Sequence, residues 1–77
     1  MRTKGLLRAL GEEVRELRLK SQLSQEMLAL RAGIHPNVVG RLERGKYNPS
    51  VLTLFSIAEE LGIPLSNLFE SAQKRSQ

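Results

Sequence analysis

The chain has 77 residues, which suffices for one small domain, and it has no cysteine, which excludes a disulfide framework and a thiolate metal site. Twelve Lys and Arg residues outnumber eight acidic residues, and the net charge of +4 favours an anionic partner. The apolar runs are too short to span a membrane, and the basic N-terminus precedes too short an apolar stretch for a secretory signal. We therefore expect a cytoplasmic protein without a membrane partner.

Two helices are predicted in the first part of the chain. The first spans about Gly5 to Lys20, because apolar residues recur there at spacings of three and four and form one stripe. That stripe consists of Leu7, Leu10, Val14 and Leu17. A second helix follows Ser24, whose hydroxyl is a preferred N-cap, and it ends at Gly33, which readily adopts a positive φ.

Three further helices are predicted in the second part of the chain. The third begins near Pro36, which suits a first helical turn, and it ends at Arg44. Ser50 is the expected cap of a fourth helix, and Gly62 ends that helix. A fifth helix starts near Pro64. Its apolar face consists of Leu65, Leu68, Phe69 and Ala72.

These elements predict an all-α fold, a compact bundle of five short helices. We expect one domain over residues 1–70 and a polar tail over residues 71–77 that frays. The connection between the second and third helices is the decisive feature, because only Gly33, Ile34 and His35 form it. Such a tight turn containing glycine forces two helices to cross steeply, which is the geometry of a DNA-reading helix pair.

The third predicted helix has an outward face whose chemistry suits the major groove of DNA. Asn37 and Arg41 lie on that face, and such side chains pair bidentately with adenine and with guanine, respectively. Gly40 lies between them and would let the helix approach DNA closely, while Val38 lies to the side, within reach of a thymine methyl group. The competing interpretation is an ordinary solvated helix face.

His35 is the single histidine, and we expect it to cap the third helix or to contact DNA there. One histidine with no cysteine and no aspartate cannot assemble a metal site of ordinary spacing. It also lacks an identifiable carboxylate partner for catalysis. The sequence therefore predicts no catalytic residue, no metal, no cofactor and no enzyme activity.

The chain from about Val14 to Phe69 resembles the Cro/C1-type (XRE-like) helix-turn-helix regulators. The resemblance rests on these segments: Leu23-Ser24-Gln25-Glu26, Leu28-Ala29, Ala32-Gly33-Ile34, Val39, Leu42-Glu43-Arg44-Gly45, Asn48-Pro49-Ser50, Thr53-Leu54, Ile57-Ala58, Leu61-Gly62-Ile63, Leu65 and Leu68-Phe69. It implies the lambda-repressor-like DNA-binding fold and a transcriptional regulator of duplex DNA. Small controller proteins of restriction–modification systems, phage repressors and antitoxins are the types that it suggests.

The chemistry of the third helix and the resemblance together give expected roles for individual residues, and Gln25, Pro36, Asn37, Arg41, Arg44 and Lys46 are the DNA contacts that the resemblance itself implies. The residues expected at DNA bases are His35, Pro36, Asn37, Val38, Gly40 and Arg41. The residues expected at phosphates are Ser24, Gln25, Arg44, Lys46 and Tyr47. Arg18 and Glu43 match a partly buried ion pair that links the first helix to the third, so its loss should destabilise the fold without changing the sequence that is read.

We expect a homodimer, because one such helix reads few base pairs and proteins of this type bind half-sites roughly 34 Å apart. The operator would then be palindromic or nearly so. The expected dimer surface is on the fifth helix, with some residues packing inward and the others pairing across a two-fold axis. Its residues are Leu65, Leu68 and Phe69. A chain this short leaves no room for a ligand-sensing domain, so no small-molecule ligand is expected.

Other classes of function stay open at this point. One is a helical protein-interaction module, such as an antitoxin, that uses the apolar residues Met27, Leu30 and Leu52 and does not bind DNA. Another is RNA binding, which requires exposed aromatic side chains for stacking, and few are available. Binding to random duplex DNA at low salt discriminates the first class from a DNA regulator.

Overall fold

The computed structural model describes residues 3–77, and within this range it contains five helices and no strand, which confirms the predicted all-α fold. The helices are α1 (Thr3–Lys20), α2 (Gln25–Ala32), α3 (Pro36–Glu43), α4 (Val51–Leu61) and α5 (Leu65–Ser76). The described part of the chain measures 32 × 21 × 21 Å. The most extensive contact between two helices joins α1 and α5, and α3 packs against both α1 and α2.

Local chemistry accounts for most helix boundaries. Ser24 Oγ accepts a hydrogen bond from the Met27 backbone N–H at 3.0 Å, and Ser50 Oγ accepts one from the Thr53 N–H at 3.1 Å. These side chains satisfy backbone donors that have no partner inside their helices. Gly33 ends α2 with a φ of 72°, a left-handed conformation that costs glycine little. The predicted caps of α2 and α4 are therefore present.

The hydrophobic core collects one apolar stripe from each helix. Its buried residues are Ala9, Leu10, Val14, Leu28, Ala29, Val39, Leu42, Leu54, Ile57, Ala58, Leu61, Leu68 and Ala72. Side chains at spacings of three and four lie on one face of a helix, so short amphipathic helices can bury these stripes against one another. In residues 3–77 no single helix is long and apolar enough to span a membrane, and the one helix pair that has sufficient length and apolar character, α4 with α5, is bent by 99°.

Gly11 sets the close approach of α1 and α3. A Cβ at this position would overlap the Leu42 carbonyl oxygen and would lie 2.9 Å from the carbonyl carbon of Glu43. Both neighbours are backbone atoms, which cannot move aside as the end of a flexible side chain could. The glycine thus lets the C-terminal half of α3 lie directly against α1.

The expected fraying tail is instead the last part of α5, which continues to Ser76. Ala72 is fully buried, and the Arg75 guanidinium donates hydrogen bonds to Glu13 Oε1 at 2.8 Å and Glu16 Oε2 at 3.0 Å. The hydrogen bond and positive charge of Arg75 lower the pKa of Glu16 from its ordinary value. The prediction of a fraying tail over residues 71–77 was wrong because Ala72 packs into the core and Arg75 pairs with α1, which is distant in sequence.

Candidate nucleic-acid interface

The orientation of α3 is set where it begins. Gly33, Ile34 and His35 form the turn from α2, and the Ile34 backbone N–H donates to the Ala29 carbonyl at 2.9 Å. His35 caps α3, because its Nδ1 accepts a hydrogen bond from the Asn37 N–H at 3.1 Å. Within residues 3–77, no group of three or more His, Asp or Glu side chains lies close enough to hold a metal ion. His35 thus serves as an N-cap, one of the two roles that its position suggested.

The two faces of α3 differ completely in exposure. Val39 and Leu42 are fully buried in the core. Asn37, Arg41 and the C-cap residue Arg44 are exposed on the opposite face. We call these three residues the reading face. Pro36 is exposed at the start of the helix, and Val38 is half-buried at the edge of the reading face.

A buried polar network attaches the end of α3 to α1. Arg18 Nε and Glu43 Oε2 are 2.6 Å apart, and Arg18 Nη2 donates to Glu43 Oε1 at 2.9 Å. Arg18 Nη1 also donates to the Leu23 carbonyl at 2.9 Å. The hydrogen bond to Glu43 raises the pKa of the Arg18 guanidinium above its ordinary value, so this group stays charged at any ordinary pH. The ion pair expected between the first and third helices is present.

Gln25 extends this network to the start of α2. Its Nε2 donates to Glu43 Oε1 at 3.0 Å, so the side chain is half-buried against α3. Gly40 lies beneath it, since a Cβ at Gly40 would lie 3.4 Å from both Gln25 Oε1 and Arg44 Nη1. Gly40 itself is buried because the side chains of Gln25 and Arg44 cover it, so the opening of the helix surface predicted at Gly40 is not present in this structure.

The loop after α3 folds back against the reading face. Gly45 has a φ of 72°, and the Lys46 backbone N–H donates to the Arg41 carbonyl at 2.9 Å. The Tyr47 ring packs partly against the core, and the Arg41 guanidinium carbon lies 5.6 Å from its centroid, within the range of a cation–π contact. The loop therefore places Lys46 and Tyr47 beside the residue expected to read a base.

The structure adds Arg8, which no sequence motif indicates. A Cβ at Gly45 would lie 3.0 Å from the Arg8 Cα, so the first part of α1 runs directly against the loop. Arg8, Arg44 and Lys46 are all exposed, and none of them forms an ion pair with a carboxylate of residues 3–77. The contact joins residues 37 positions apart, so no local sequence signal indicates it.

The dimer surface predicted on α5 is incorrect for one of its residues. Leu68 is fully buried in the core of the monomer, while Leu65 and Phe69 are partly buried against that core. An apolar stripe indicates that one face of a helix is buried. It does not indicate whether that face packs against the same chain or against a second chain. Among the residues whose burial the structure describes, the large apolar side chains that remain exposed are Leu19, Met27, Leu30, Val51, Leu52 and Phe55.

Half of these exposed side chains belong to α4. Val51, Leu52 and Phe55 are exposed by 65%, 77% and 49%, and their spacing places them on neighbouring turns of one helix face. An open groove of about 210 Å³ adjoins them at Val51. The other residues that line the groove are Leu6, Leu7, Leu10, Asn48, Pro49, Leu54 and Phe69. We call Val51, Leu52, Phe55 and this groove the α4 face.

The family model of helix-turn-helix proteins matches residues 14–68, from the second half of α1 to the first turn of α5. The chain belongs to this family. In this helix-turn-helix protein, α2 and α3 are the paired helices, and the resemblance to Cro/C1-type regulators is confirmed. The first turns of α1, which carry Arg8, and the end of α5, which carries Arg75, lie outside the matched segment.

Individual relatives support the same assignment. An HTH-type transcriptional regulator of Archaeoglobus fulgidus is 36% identical over 56 residues, which are 73% of this chain and 79% of the relative. The control protein C.BamHI of Bacillus amyloliquefaciens is 36% identical over 61 residues, 78% of this chain and 75% of the relative. The crystal structure of the restriction-modification controller protein C.AhdI from Aeromonas hydrophila superposes with a TM-score of 0.78 at 39% identity, covering 80% of this chain and 94% of that one.

Proposed function

We propose that this protein regulates transcription by binding, as a homodimer, a palindromic or nearly palindromic sequence in duplex DNA. Its class, a DNA-binding transcriptional regulator of the helix-turn-helix type, follows from its family and its relatives. The observation that carries the proposal is the reading face, where exposed Asn and Arg side chains project from a helix whose other face is fixed in the core. Its place of action would be the cytoplasm, at the nucleoid, where duplex DNA is found.

The exposed polar residues of α3 are the ones that we propose to contact the DNA bases. Asn37 can pair bidentately with adenine through its amide, and Arg41 can pair with guanine O6 and N7 through two guanidinium N–H groups. Val38 at the edge can contact a thymine methyl group. Arg44 also belongs to the reading face, and its place at the C-cap beside Lys46 suits a phosphate contact better than a base contact.

Phosphate binding is supported from two sides of α3. At the start of α2, Ser24 Oγ already accepts from the Met27 N–H, and the preceding N–H groups of Gln25 and Glu26 suit an anion. On the other side lie Arg44, Lys46 and Arg8, three exposed cations without carboxylate partners among residues 3–77. Gln25 already donates to Glu43, so its main role is to support α3. Each phosphate that is neutralised releases counterions, so affinity should fall steeply with salt.

The α4 face is the surface that we assign to dimerisation, in place of Leu68. One short reading helix covers few base pairs, so a second copy is needed to specify an operator. A two-fold dimer requires one surface patch that can pack against itself, and Leu52 and Val51 provide exposed apolar side chains without a cover in the monomer. Contiguous apolar side chains of this kind mark interaction sites on small soluble domains.

The proposal is tested by selecting sequences from random duplex DNA and titrating salt on the selected duplex. The expected result is a two-fold symmetric consensus, with half-sites about one helical turn apart, that Arg41→Ala reads less selectively. Weak binding with no enriched sequence would contradict the proposal. It would favour instead a protein partner at Met27 and Leu30, which lie exposed at positions i and i+3 of α2.

The dimer surface has its own test with a matched control. Leu52 and Leu30 are the same residue type and have nearly equal exposures of 77% and 74%, on α4 and α2 respectively. In sedimentation equilibrium, Leu52→Asp should shift the protein to monomers, whereas Leu30→Asp should leave the dimer intact. Dimers of unchanged stability in Leu52→Asp would exclude the α4 face, and loss of dimers only in Leu30→Asp would move the interface to α2.

A further inference from the structure

Tyr47 is the only tyrosine of the chain, and its ring lies between the core and Arg41. One side of the side chain packs against buried apolar residues, which fixes the position of the ring. The Arg41 guanidinium lies over the ring at 5.6 Å from its centroid, although the arginine side chain is otherwise exposed. An exposed arginine is thus in contact with a ring that the fold holds in place.

The backbone of the loop reinforces this contact. Both the Arg44 N–H, at 3.2 Å, and the Lys46 N–H, at 2.9 Å, donate to the Arg41 carbonyl oxygen. The second of these bonds returns the loop to α3 immediately before Tyr47. The loop therefore fixes the distance between the Tyr47 ring and the backbone of Arg41. The ring that contacts the Arg41 guanidinium belongs to the loop and not to α3 itself.

We infer that Tyr47 is the positioning residue of Arg41 and holds its guanidinium ready to read a guanine. The inference rests on the function proposed above. A guanidinium held over a ring by a cation–π contact keeps the N–H groups that point away from the ring free for bidentate pairing in the major groove. An arginine that is held in this way loses less rotamer freedom when it binds than one that moves freely in solvent.

This role differs from the phosphate contact that the sequence suggested for Tyr47. A phosphate contact requires the phenolic hydroxyl, whereas stacking requires only the ring. Tyr47→Phe removes the hydroxyl and keeps the ring, and Tyr47→Leu removes both ring and hydroxyl but keeps an apolar side chain against the core. The two variants therefore separate the two roles.

The test measures binding of wild type, Tyr47→Phe and Tyr47→Leu to two duplexes. One duplex is the sequence that the wild type selects, and the other differs at the base pair where Arg41→Ala loses its preference. Tyr47→Phe should bind both within about 2-fold of the wild type, and Tyr47→Leu should bind the selected duplex about 3- to 10-fold more weakly, the range expected for one lost cation–π contact. Its affinity for the altered duplex should be unchanged.

A double-variant cycle and an assay without DNA make the result independent of any change in stability. In the Arg41→Ala background, Tyr47→Leu should cause no further loss of discrimination. In the free protein, the side-chain protons of Arg41 should show an NMR ring-current shift that Tyr47→Phe retains and Tyr47→Leu abolishes.

Each other outcome overturns the inference. Equal losses in Tyr47→Phe and Tyr47→Leu would assign the hydroxyl to a phosphate, and equal losses of Tyr47→Leu on both duplexes would indicate a general effect on the fold. Retention of full discrimination in Tyr47→Leu would overturn the inference and leave the proposed function standing. If the wild type selected no sequence at all, the proposed function and this inference would both fail.

Discussion

Neutralising Glu43 should destabilise the fold severely while leaving its packing almost unchanged. Glu43→Gln is nearly isosteric, but it leaves the Arg18 guanidinium, 7% exposed, without a counter-charge. It also replaces an oxygen that accepts from Arg18 or Gln25 with an amide N–H₂ that cannot accept. Removing one partner of a buried ion pair costs on the order of 3–5 kcal/mol.

That loss is large compared with the total stability that a domain of this size can have. At about 0.05–0.15 kcal/mol per residue, 77 residues correspond to a free energy of unfolding of about 4–12 kcal/mol. For domains of 60–100 residues each kcal/mol shifts the melting temperature by about 4–8 °C, so the variant should melt at least about 12 °C below the wild type. Urea unfolding followed by circular dichroism, with the m-value checked, measures the difference.

A second variant shows whether the uncompensated charge is the cause. Arg18→Met combined with Glu43→Leu removes both charges, and apolar replacement of a buried pair is often neutral or stabilising, so the double variant should regain most of the lost stability. At a temperature where Glu43→Gln is still folded, its sequence preference on DNA should equal that of the wild type. A loss below about 1 kcal/mol in Glu43→Gln, the value of an exposed pair, would refute the assignment of a buried and essential ion pair.

Three further predictions address other contacts. Arg8→Ala should lower the slope of log DNA affinity against log salt concentration by about 1 without changing the selected sequence. The control variant Lys74→Ala, on α5, should change neither the slope nor the selected sequence. The contact of Arg75 with Glu16 depresses the pKa of that carboxyl, so its contribution to stability is complete above the ordinary pKa of 4.5 and is lost as the pH falls through the lower folded-state value. The melting temperatures of wild type and Arg75→Gln should accordingly differ at neutral pH and converge in strong acid. Gly11→Ala should destabilise by about 1–3 kcal/mol through overlap with the α3 backbone, although alanine favours helices. Gly40→Ala, which meets only flexible side chains at 3.4 Å, should be neutral or should stabilise by up to about 1 kcal/mol, and equal effects of the two glycine variants would contradict the reasoning.

The helices and their caps could be predicted from the sequence because their causes are local. A hydroxyl at Ser24 or Ser50 reaches a backbone N–H three residues ahead, and both bonds are present at 3.0 and 3.1 Å. The end of α2 at Gly33 follows equally from the residue itself. In such cases residues within one helical turn of one another determine the structure, so no knowledge of the remainder of the chain was needed.

The errors concern residues whose surroundings depend on distant parts of the chain. The periodicity of α5 indicates that Leu68 is covered, and only the packing of α1 and α4 shows that the cover is intramolecular. Gly40 lies on the outer side of α3 in a helical wheel, yet Gln25 of α2 covers it. Likewise, Arg75 looks like part of a solvated tail until α1 supplies its acidic partners.

The residues that hold α3 and the residues that we propose to read DNA occupy separate faces of the same helix. Glu43 and Val39 attach α3 to the rest of the fold, whereas Asn37 and Arg41 have no part in the core or in the buried network. Substitutions at Asn37 and Arg41 should therefore change the operator without unfolding the protein. Tyr47 is the exception, because its ring both packs on the core and contacts Arg41. A change of operator that replaces Arg41 should thus tolerate any apolar residue of similar size at position 47, whereas retention of Arg41 requires an aromatic ring there.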